Sequence, residues 1–360
     1  MKHKLILILV VIPSFLLGTM TYAQDDPAFI SEDVTFTNGD VTLVGTLTLP
    51  DTPGPHPAAI VISGSGEQDR NGAVEGFIEG YEPLRFLAEA LTPAGIAILR
   101  YDERSIGEST GVHHTSTTED FANDAQAAFD YLAAHDDIDA EQIGLIGHSE
   151  GSNIVAYAAA RNEDVAFVIS MAGQAVDGYD VLVEQTVQGA LANGASEQET
   201  EAALEAGQIE WDMVLNEDWD GLEVYTRQLL SAMPVEHQPD PEELDAMIAY
   251  QEEFAKSWFR FFLEYNPAED WAQIDAPILV ILAELDTQIT VAQNLEPFAE
   301  ALEDGETPNY DIVVLEDTNH LFQPDVETGA PSEYAELEPA FTPELPTLLR
   351  DWILDHVTLA

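Results

Sequence analysis

Short apolar runs and amphipathic stretches alternate along most of this chain. Two stretches near its start alternate polar and apolar residues around Asn38-Gly39, a dipeptide typical of a two-residue hairpin turn; they are Val34–Thr37 and Val41–Leu49. Six later runs have the length and composition of buried strands: Ala58–Ser63, Ile96–Tyr101, Ile143–Ile146, Val165–Met171, Pro277–Leu282 and Tyr310–Leu315.

Helical patterns lie between these runs and after the last of them. They cover Tyr81–Leu91, a stretch that begins at Thr118, Ser152–Ala160, Val291–Leu302 and Glu344–His356. Because strands and helices alternate, we predict an α/β fold with a largely parallel central sheet and an N-terminal β-hairpin.

One long stretch departs from this alternation. From Gly173 to Asp270 no convincing strand is visible, and acidic helical patterns carry several aromatic residues: Trp211, Trp219, Trp258 and Phe261–Phe262. We therefore predict a core in two parts, residues 24–172 and 271–360, interrupted by a helical cap over residues 173–270. The aromatic residues are expected to line a binding pocket, and a cap with a purely structural role is the alternative.

The first residues predict a segment that is not part of this fold. Lys2 and Lys4 precede an uncharged apolar run, Leu5–Gly18, and Thr21-Tyr22-Ala23 then offers small residues before a cleavage point. This layout is typical of a secretory signal peptide covering residues 1–23. We expect cleavage after Ala23 and a secreted or periplasmic protein; a retained N-terminal membrane anchor is the alternative.

The composition is strongly acidic. The 360 residues include 68 Asp and Glu against 11 Lys and Arg, a formal net charge of −57, and removal of the signal peptide takes away two lysines and no acid. Nucleic-acid binding needs basic patches, so this charge excludes a nucleic acid as partner. Since 46% of the residues are hydrophobic, the chain lacks the composition of a disordered acidic protein. We expect an exported protein of a halophile, because molar salt screens such self-repulsion.

Metal and cofactor sites find little support in the sequence. The chain has no cysteine, which excludes disulfides, thiolate metal sites and a cysteine nucleophile. No His-x-x-x-His pair occurs, and the acidic run Asp136–Asp139 lacks the glycine and terminal glutamate of a calcium loop. The sequence predicts neither a metal nor a cofactor.

Two pentapeptides have the pattern Gly-x-Ser-x-Gly: Gly107–Gly111 and Gly147–Gly151. A serine nucleophile needs this pattern on a tight turn between a strand and a helix, where the helix N-terminus lies beneath the developing negative charge. The second pentapeptide follows a predicted strand and precedes a predicted helix, whereas the first is followed by loop residues. We predict Ser149 as the nucleophile and not Ser109.

A serine hydroxyl needs a base, and the base needs an orienting carboxylate. In enzymes with this strand–turn–helix arrangement, the acid and then the histidine follow the serine along the chain. Three histidines follow Ser149: His237 in the helical stretch, His320 just past a predicted strand, and His356 in the last helix. Functional groups gather at the carboxyl ends of strands in open α/β sheets, so we predict His320 as the base.

The acid is expected after the preceding strand, Pro277–Leu282. Glu284 and Asp286 both lie there, and we prefer Asp286 because it sits at the turn before the next helix. A turn or helix-start aspartate is its alternative role. Asp317 lies too close to His320 on the same loop.

The oxyanion hole is expected to combine two backbone N–H groups. One belongs to Glu150, the residue after the nucleophile, and the other to the glycine-rich loop at residues 63–72. Glycines let that loop approach a bound oxygen closely. We predict the amide of Ser65, with Gly64 and Gly66 as alternatives.

With these residues in place, the chain resembles bacterial α/β-hydrolase esterases, which carry three motifs in a fixed order. The motifs are an oxyanion loop similar to Gly-Ser-Gly-Pro-Gln-Asp-Arg, found here as Gly64–Arg70, an Arg-Tyr-Asp-x-Arg-Gly-x-Gly-x-Ser segment, here Arg100–Ser109, and Gly-His-Ser-Glu-Gly at Gly147–Gly151. The likeness spans nearly the whole chain after the signal peptide and is weakest in the helical insertion. It implies an α/β-hydrolase fold and hydrolysis of carboxylic esters, often with short acyl chains.

Three positions depart from the family pattern. Glu67 stands where proline is usual, and Ser63 stands where a histidine commonly precedes the oxyanion glycine. Ser105 replaces the glycine that follows the arginine of the second motif. If that position requires a positive φ, Ser105 is strained.

Four charged residues of the first two motifs resemble supporting ion pairs rather than reacting groups: Asp69, Arg70, Asp102 and Arg104. Three of the few arginines of this chain cluster around these two loops. We expect the four side chains to hold the loops in place.

These inferences together predict a secreted, metal-independent serine hydrolase that cleaves small-molecule esters of short-to-medium acyl chains. Ser149, His320 and Asp286 would form its triad. A serine peptidase or amidase of the prolyl-oligopeptidase type is one alternative, since it shares the triad. A non-catalytic binding protein on the same scaffold is another, although such proteins usually lose a triad member and none is missing here.

Overall fold

A single twisted sheet forms the centre of the molecule. The computed structural model describes residues 29–74, 76–234, 238–305, 307 and 309–359. The predicted signal peptide, its cleavage point after Ala23 and the histidine His237 lie outside these ranges. Over the ranges given, no helix is both long and apolar enough to span a bilayer.

The sheet has eight strands within these ranges. They are β1 (Phe29–Asn38), β2 (Val41–Pro50), β3 (His56–Ile62), β4 (Ala97–Tyr101), β5 (Ile138–His148), β6 (Val168–Met171), β7 (Ile278–Ala283) and β8 (Tyr310–Leu315). Their order across the sheet is β1-β2-β4-β3-β5-β6-β7-β8. The β1–β2 and β2–β4 pairs are antiparallel, and every later pair is parallel.

Helices follow or separate the strands. They are α1 (Pro83–Leu91), α2 (Thr118–Ala133), α3 (Glu150–Ala159), α4 (Gly178–Ala192), α5 (Glu197–Leu215), α6 (Trp219–Ala232), α7 (Pro241–Phe254), α8 (Arg260–Glu264), α9 (Ala268–Trp271), α10 (Val291–Asp304) and α11 (Glu344–His356). Helices α2, α3 and α10 pack on one face of the sheet, and α1 and α11 pack on the other.

The two faces explain the apolar runs in the sequence. Along β3, Ala58, Ile60 and Ile62 belong to one hydrophobic cluster, whereas Ala59 and Val61 belong to the other. Neighbouring side chains of a strand point to opposite faces, so a strand covered on both sides is apolar at every position.

The segment between β6 and β7 is helical. Helices α4, α5, α6 and α8 pack around a small hydrophobic cluster of their own that includes Trp211, Val214 and Leu222. Side chains of Asp177, Ser196, Asp218 and Asp240 accept backbone hydrogen bonds at the starts of α4 to α7. The described part of residues 173–270 contains no strand. The last short helix, α9, belongs to the core, where Trp271 packs against Phe298.

This architecture confirms the predicted fold, including the N-terminal hairpin and the helical insertion. The largest difference in element length is β5, which begins at Ile138 rather than at Ile143. The mostly polar residues 139–142 interrupt the apolar pattern, so the first half of β5 is not recognisable as a strand in the sequence. They are tolerated because that half is largely exposed, while Ile138 pairs with His56 of the neighbouring strand.

Candidate active site

Ser149 lies on a tight turn between β5 and α3. Its φ is 55° and its ψ is −122°, a conformation that non-glycine residues rarely adopt. Its N–H donates to the carbonyl of Met171, 2.9 Å away. The flanking glycines are required, because a Cβ at Gly147 would collide with the carbonyl of Gly151 and a Cβ at Gly151 with that of Ser63.

The structure brings Ser149, His320 and Asp286 together. Nε2 of His320 lies 3.0 Å from Oγ of Ser149, and Nδ1 of His320 lies 2.7 Å from Oδ2 of Asp286. Asp286 follows β7 and His320 follows β8, so both lie at the carboxyl edge of the parallel sheet. In this geometry Nδ1–H donates to the carboxylate, and Nε2 is free to accept the serine proton.

Asp286 is itself held by the backbone. Its Oδ1 accepts hydrogen bonds from the N–H groups of Gln288 and Ile289, at 2.7 and 2.9 Å. Only Oδ2 therefore faces the imidazole. Both residues are buried: Asp286 is 4% exposed and His320 is 3% exposed.

The other candidates for these positions have structural contacts instead. Glu284 accepts a hydrogen bond at 3.0 Å from the N–H of Asp317, and thereby supports the turn before His320. His356 lies at the end of α11, where its Nδ1 is 2.8 Å from the carbonyl of Trp352. Ser109 is buried and bridges two strands, since its hydroxyl donates to the carbonyl of Asp102 and accepts from the N–H of Val44.

His148 is a site residue that sequence reasoning missed. Its Nε2 lies 2.8 Å from the backbone carbonyl of His320, and the two imidazole rings are 5.0 Å apart. Burial, together with the neighbouring His320, lowers the pKa of His148 to about 4, so its ring is neutral near pH 7. A neutral ring with Nε2–H donates to that carbonyl and holds the loop that carries His320. Its place beside Ser149 in the pentapeptide was the only available signal.

The glycine-rich loop after β3 lies against the nucleophile. A Cβ at Gly64 would come within 3.0 Å of Cβ of Ser149, so the backbone approaches this close only because residue 64 is glycine. Glu103 holds the loop by accepting hydrogen bonds from the hydroxyl of Ser63 and from the N–H of Gln68, the latter at 3.0 Å. The amides of Gly64 and Ser65 are thus neighbours of Ser149, and the choice of Ser65 over Gly64 and Gly66 stays a prediction.

Two of the four charged residues predicted to support the loops are arginines, and each forms a close ion pair. Arg70 donates to Asp102 through Nε and Nη2, at 3.1 and 2.6 Å. Arg104 instead pairs with Asp124 of α2, at 2.6 Å from Nε and 2.9 Å from Nη2. Because Asp124 lies in helix α2, outside the two motifs, the sequence did not indicate it as the partner of Arg104.

Among the described residues Asp69 holds the loop through backbone hydrogen bonds, and no ion pair of its carboxylate is found there. Its Oδ1 accepts hydrogen bonds from the N–H groups of Asn71 and Ala73, at 2.8 and 3.0 Å. A short side chain at the start of a turn reaches nearby amides more readily than a distant arginine. Asp69 therefore shapes the loop through its own backbone.

Ser105 does adopt a positive φ, 68°. Its hydroxyl accepts from the N–H of His113 at 3.0 Å and lies 3.3 Å from the carbonyl of Gly111. These contacts offset part of the strain that replacement of glycine introduces. His113 in turn contacts Glu103, with 3.0 Å between Nε2 and Oε2. Burial lowers the pKa of His113, but the hydrogen bond with Glu103 and the negative charges of Glu103, Glu67 and Glu150 together outweigh this effect, and the pKa is raised.

A cavity of about 190 Å³ opens beside Ser149. Its walls come from the segment between β3 and α1, from the turn after β5 and from the segments that follow β7 and β8. The described wall residues are Gly64, Ser65, Gln68, Gly72, Val74, Phe77, Ile78, Tyr81, Pro83, His148, Ser149, Gln288, His320, Leu321 and Tyr334. None of these wall residues is an Asp, Glu, Lys or Arg. None belongs to the helical insertion. We expected aromatic residues of the cap to line the pocket, and in the described ranges they do not line this cavity.

The cap reaches the site from another direction. Nε1–H of Trp258 donates to Oε1 of Glu150 at 2.6 Å, and the hydroxyl of Thr118 donates to the same oxygen at 3.1 Å. Glu150 is the first residue of α3 and is 6% exposed. Burial raises its pKa, and the hydrogen bonds from Trp258, Thr118 and Ser65 act in the opposite direction.

Comparison with known proteins agrees with this fold. Residues 49–337 match the family described as "Alpha/beta hydrolase family", and the chain belongs to that family. Its sequence is 26% identical over 310 residues to esterase EstD of Thermotoga maritima, a match that covers 86% of this chain. The chain spans 64% of the length of that relative.

Solved structures share the same fold at low sequence identity. An esterase of Pyrococcus furiosus has a TM-score of 0.54 and 16% identity, with 95% of this chain and 96% of that chain covered. Proline iminopeptidase from Mycobacterium smegmatis also has a TM-score of 0.54 and 16% identity, with 90% and 98% covered. These likenesses establish the fold and leave the reaction open, since a fold hosts many reactions.

Proposed function

We propose that this protein is a serine carboxylic-ester hydrolase with Ser149, His320 and Asp286 as its triad. The observation that carries the proposal is the chain of two short contacts from Ser149 Oγ to His320 Nε2 and from His320 Nδ1 to Asp286 Oδ2, at 3.0 and 2.7 Å. The relationship to an esterase supports ester cleavage as the reaction.

The proposed reaction has two halves. Oγ of Ser149 attacks the ester carbonyl while Nε2 of His320 takes the hydroxyl proton, and the negative charge goes to the carbonyl oxygen. The amide N–H groups of Glu150 and Ser65 would hold that oxygen, with Gly64 or Gly66 as the alternative to Ser65. The bond to the alcohol then breaks, and His320 returns the proton to the departing oxygen.

Water completes the cycle. It attacks the acyl-enzyme as His320 takes one of its protons, and the bond to Ser149 breaks when that proton passes back to Oγ. Asp286 keeps the imidazole oriented and stabilises its charged form without taking a proton. These steps need no metal or cofactor.

The cavity suggests the size and charge of the substrate. Its volume of about 190 Å³ exceeds by a little the roughly 150 Å³ cavity that accommodates benzene, and lies below the usual range for drug-sized ligands. Its described walls carry no acidic or basic side chain apart from two histidines. We propose uncharged esters with short-to-medium acyl chains as substrates.

The direct test replaces the nucleophile. Ser149→Ala should reduce hydrolysis of p-nitrophenyl butyrate by at least about 10³-fold. Ser109→Ala is the matched control, because Ser109 lies in the other Gly-x-Ser-x-Gly pentapeptide and, among the described residues, its hydroxyl hydrogen-bonds only to the backbone of Asp102 and Val44. Equal activity of the wild-type protein and Ser149→Ala would refute the proposal.

Two comparisons separate the alternatives. Turnover of an ester and an amide with the same acyl group distinguishes an esterase from a peptidase or amidase. Covalent labelling by a fluorophosphonate distinguishes an enzyme from a binding protein, because an inert hydroxyl does not react. A panel of p-nitrophenyl esters of increasing acyl length then measures how much of the chain the cavity accepts.

We also propose that the protein is exported and works in salt. The predicted signal peptide at residues 1–23 supports export, and the net charge of −57 supports a saline environment. Mass spectrometry of the protein from the producing cells should find Gln24 at its N-terminus. Detection of Met1 or Lys2 in the exported protein would contradict cleavage after Ala23.

A further inference from the structure

The side chain of Glu150 has no part in the proposed reaction. Its backbone N–H is a candidate oxyanion donor, but its carboxyl group does not line the cavity beside Ser149. The group is buried nonetheless, and it lies at the start of the helix that follows the nucleophile. A buried carboxyl group is costly unless hydrogen bonds satisfy it, so its partners indicate what it does.

Those partners come from two separate elements. Trp258 donates from the cap at 2.6 Å, and Thr118 donates from the start of α2 at 3.1 Å. The hydroxyl of Ser65, in the loop predicted to complete the oxyanion hole, lowers the pKa of Glu150 and thereby opposes the effect of burial. The carboxyl group thus joins the cap to the core at the residue whose backbone N–H is a candidate oxyanion donor.

The cap side of this contact is specialised. Trp258 lies in a π-helical turn, Ala255–Phe259, between α7 and α8. Such turns are rare and occur often at functional sites. The indole ring stacks on Phe254 and Phe262, with ring centres 5.1 and 5.2 Å apart, which aims Nε1 at the core.

The oxyanion loop is also held by a second acidic residue. Glu103 accepts from the N–H of Gln68 and from the hydroxyl of Ser63, and it contacts His113. Its negative charge also raises the pKa of Glu150. Glu103 is half-buried and Glu150 is buried, and of the two only Glu150 has a hydrogen-bond partner in the described part of the cap.

We propose that Glu150 is a positioning residue: its carboxyl group binds Trp258 of the cap, and this contact keeps the donors of the oxyanion hole in place. The inference rests on the proposed ester hydrolysis. When Trp258 occupies its place, the carboxyl group is fixed, and the amide of Glu150 and the Ser65 loop are aligned with it. When Trp258 is withdrawn, the carboxyl group loses the hydrogen bond from the cap, and the amide of Glu150 and the neighbouring Ser65 loop shift from their productive positions.

Such a role predicts an effect on the chemical step. Small displacements of groups around a reacting centre can reduce rates about 100-fold, whereas binding of a short ester in the separate cavity should change little. Glu150→Ala is expected to reduce kcat by about 10- to 100-fold, with KM for p-nitrophenyl butyrate within about threefold of wild type. Glu150→Gln keeps an oxygen acceptor for Trp258 and Thr118, so its kcat should recover to within about threefold.

The cap variants provide the matched comparison. Trp258→Phe removes the donor but keeps an aromatic ring in the stack, and should reduce kcat by about 5- to 10-fold. Trp211→Phe makes the same change in the hydrophobic cluster of the cap, away from Glu150, and should leave kcat within about twofold. The Glu150→Ala/Trp258→Phe double variant should have the same kcat as Glu150→Ala alone, because both changes remove the same hydrogen bond between Trp258 and Glu150.

All rates are expressed per active site titrated with a fluorophosphonate, so misfolded molecules do not count. If Glu150→Ala fails to fold, the two tryptophan variants carry the test. The inference is overturned if Trp258→Phe and Trp211→Phe have the same kcat, or if the losses in the double variant multiply. These outcomes are separate from those that test the proposed reaction, since equal activity of Ser149→Ala and wild type would refute the reaction and not only the role of Glu150.

Discussion

Replacement of Asp286 by asparagine tests the proposed triad most directly. In the structure Oδ1 of Asp286 accepts two backbone N–H groups, at 2.7 and 2.9 Å, while Oδ2 faces Nδ1 of His320 at 2.7 Å. An asparagine amide has one oxygen, and the two backbone donors will hold that oxygen in the place of Oδ1. Its NH₂ group must then point at His320.

This orientation reverses the roles of the imidazole nitrogens. The amide donates to Nδ1, so the proton of the neutral ring moves to Nε2, which can no longer accept the proton of Ser149. The corresponding change in a serine protease triad lowers kcat by about 10⁴-fold. For this protein we expect a loss of about 10³- to 10⁴-fold, or roughly 4–5.5 kcal/mol in the activation free energy.

The assay is steady-state hydrolysis of p-nitrophenyl butyrate at neutral pH, followed by release of the coloured alcohol. Glu284→Gln is the control, because Glu284 was the other candidate acid and contacts only the N–H of Asp317 among its described partners. Its kcat should stay within about threefold of wild type. A decrease of less than about tenfold in Asp286→Asn, or an equal loss in Glu284→Gln, would refute the assignment of Asp286.

Three further predictions concern stability. Arg104→Met leaves the buried carboxylate of Asp124 without its ion-pair partner and should lower the free energy of unfolding by about 3–5 kcal/mol. Arg227→Met breaks only exposed pairs and should change the free energy of unfolding far less; urea unfolding compares the two variants. The pKa of His148 is about 4 in the folded state and roughly 6.5 in the unfolded chain. Between these two values the unfolded chain binds a proton at His148 that the folded protein does not. The free energy of unfolding therefore decreases as the pH falls from about 6.5 to about 4. We expect this group to contribute about 3 kcal/mol of that loss, measured as the difference between wild type and His148→Phe across the same pH range; identical slopes would contradict it. Finally, the melting temperature should rise from dilute buffer to molar chloride, and a maximum in dilute buffer would contradict the salt-adapted surface.

The buried acids show how so acidic a chain organises its few cations. Five acidic residues are buried in the part of the chain that the structure describes: Asp102, Asp124, Glu150, Asp270 and Asp286. Three of them pair with arginines: Asp102 with Arg70, Asp124 with Arg104 and Asp270 with Arg161. Salt screens exposed pairs strongly and buried pairs much less, so these contacts persist where surface pairs weaken.

Sequence alone determined the parts of this protein that local patterns encode. Apolar runs and helical periodicity predicted the strands and the helices on both faces of the sheet, because each period follows from the geometry of one element. The pentapeptide around Ser149 was recognisable since a strand, a glycine-flanked turn and a helix are contiguous. The order of serine, acid and histidine then led to His320, which follows the last strand.

Tertiary structure decided which distant groups meet. Glu284 and Asp286 are separated by a single residue, and only the fold directs the carboxylate of Asp286 at the imidazole, since backbone donors fix its other oxygen. The pairing of Arg104 with Asp124 and the contact of Trp258 with Glu150 likewise depend on packing between separate elements. Periodicity says which face of an element is buried, but the partner on that face depends on how helices and loops pack in three dimensions.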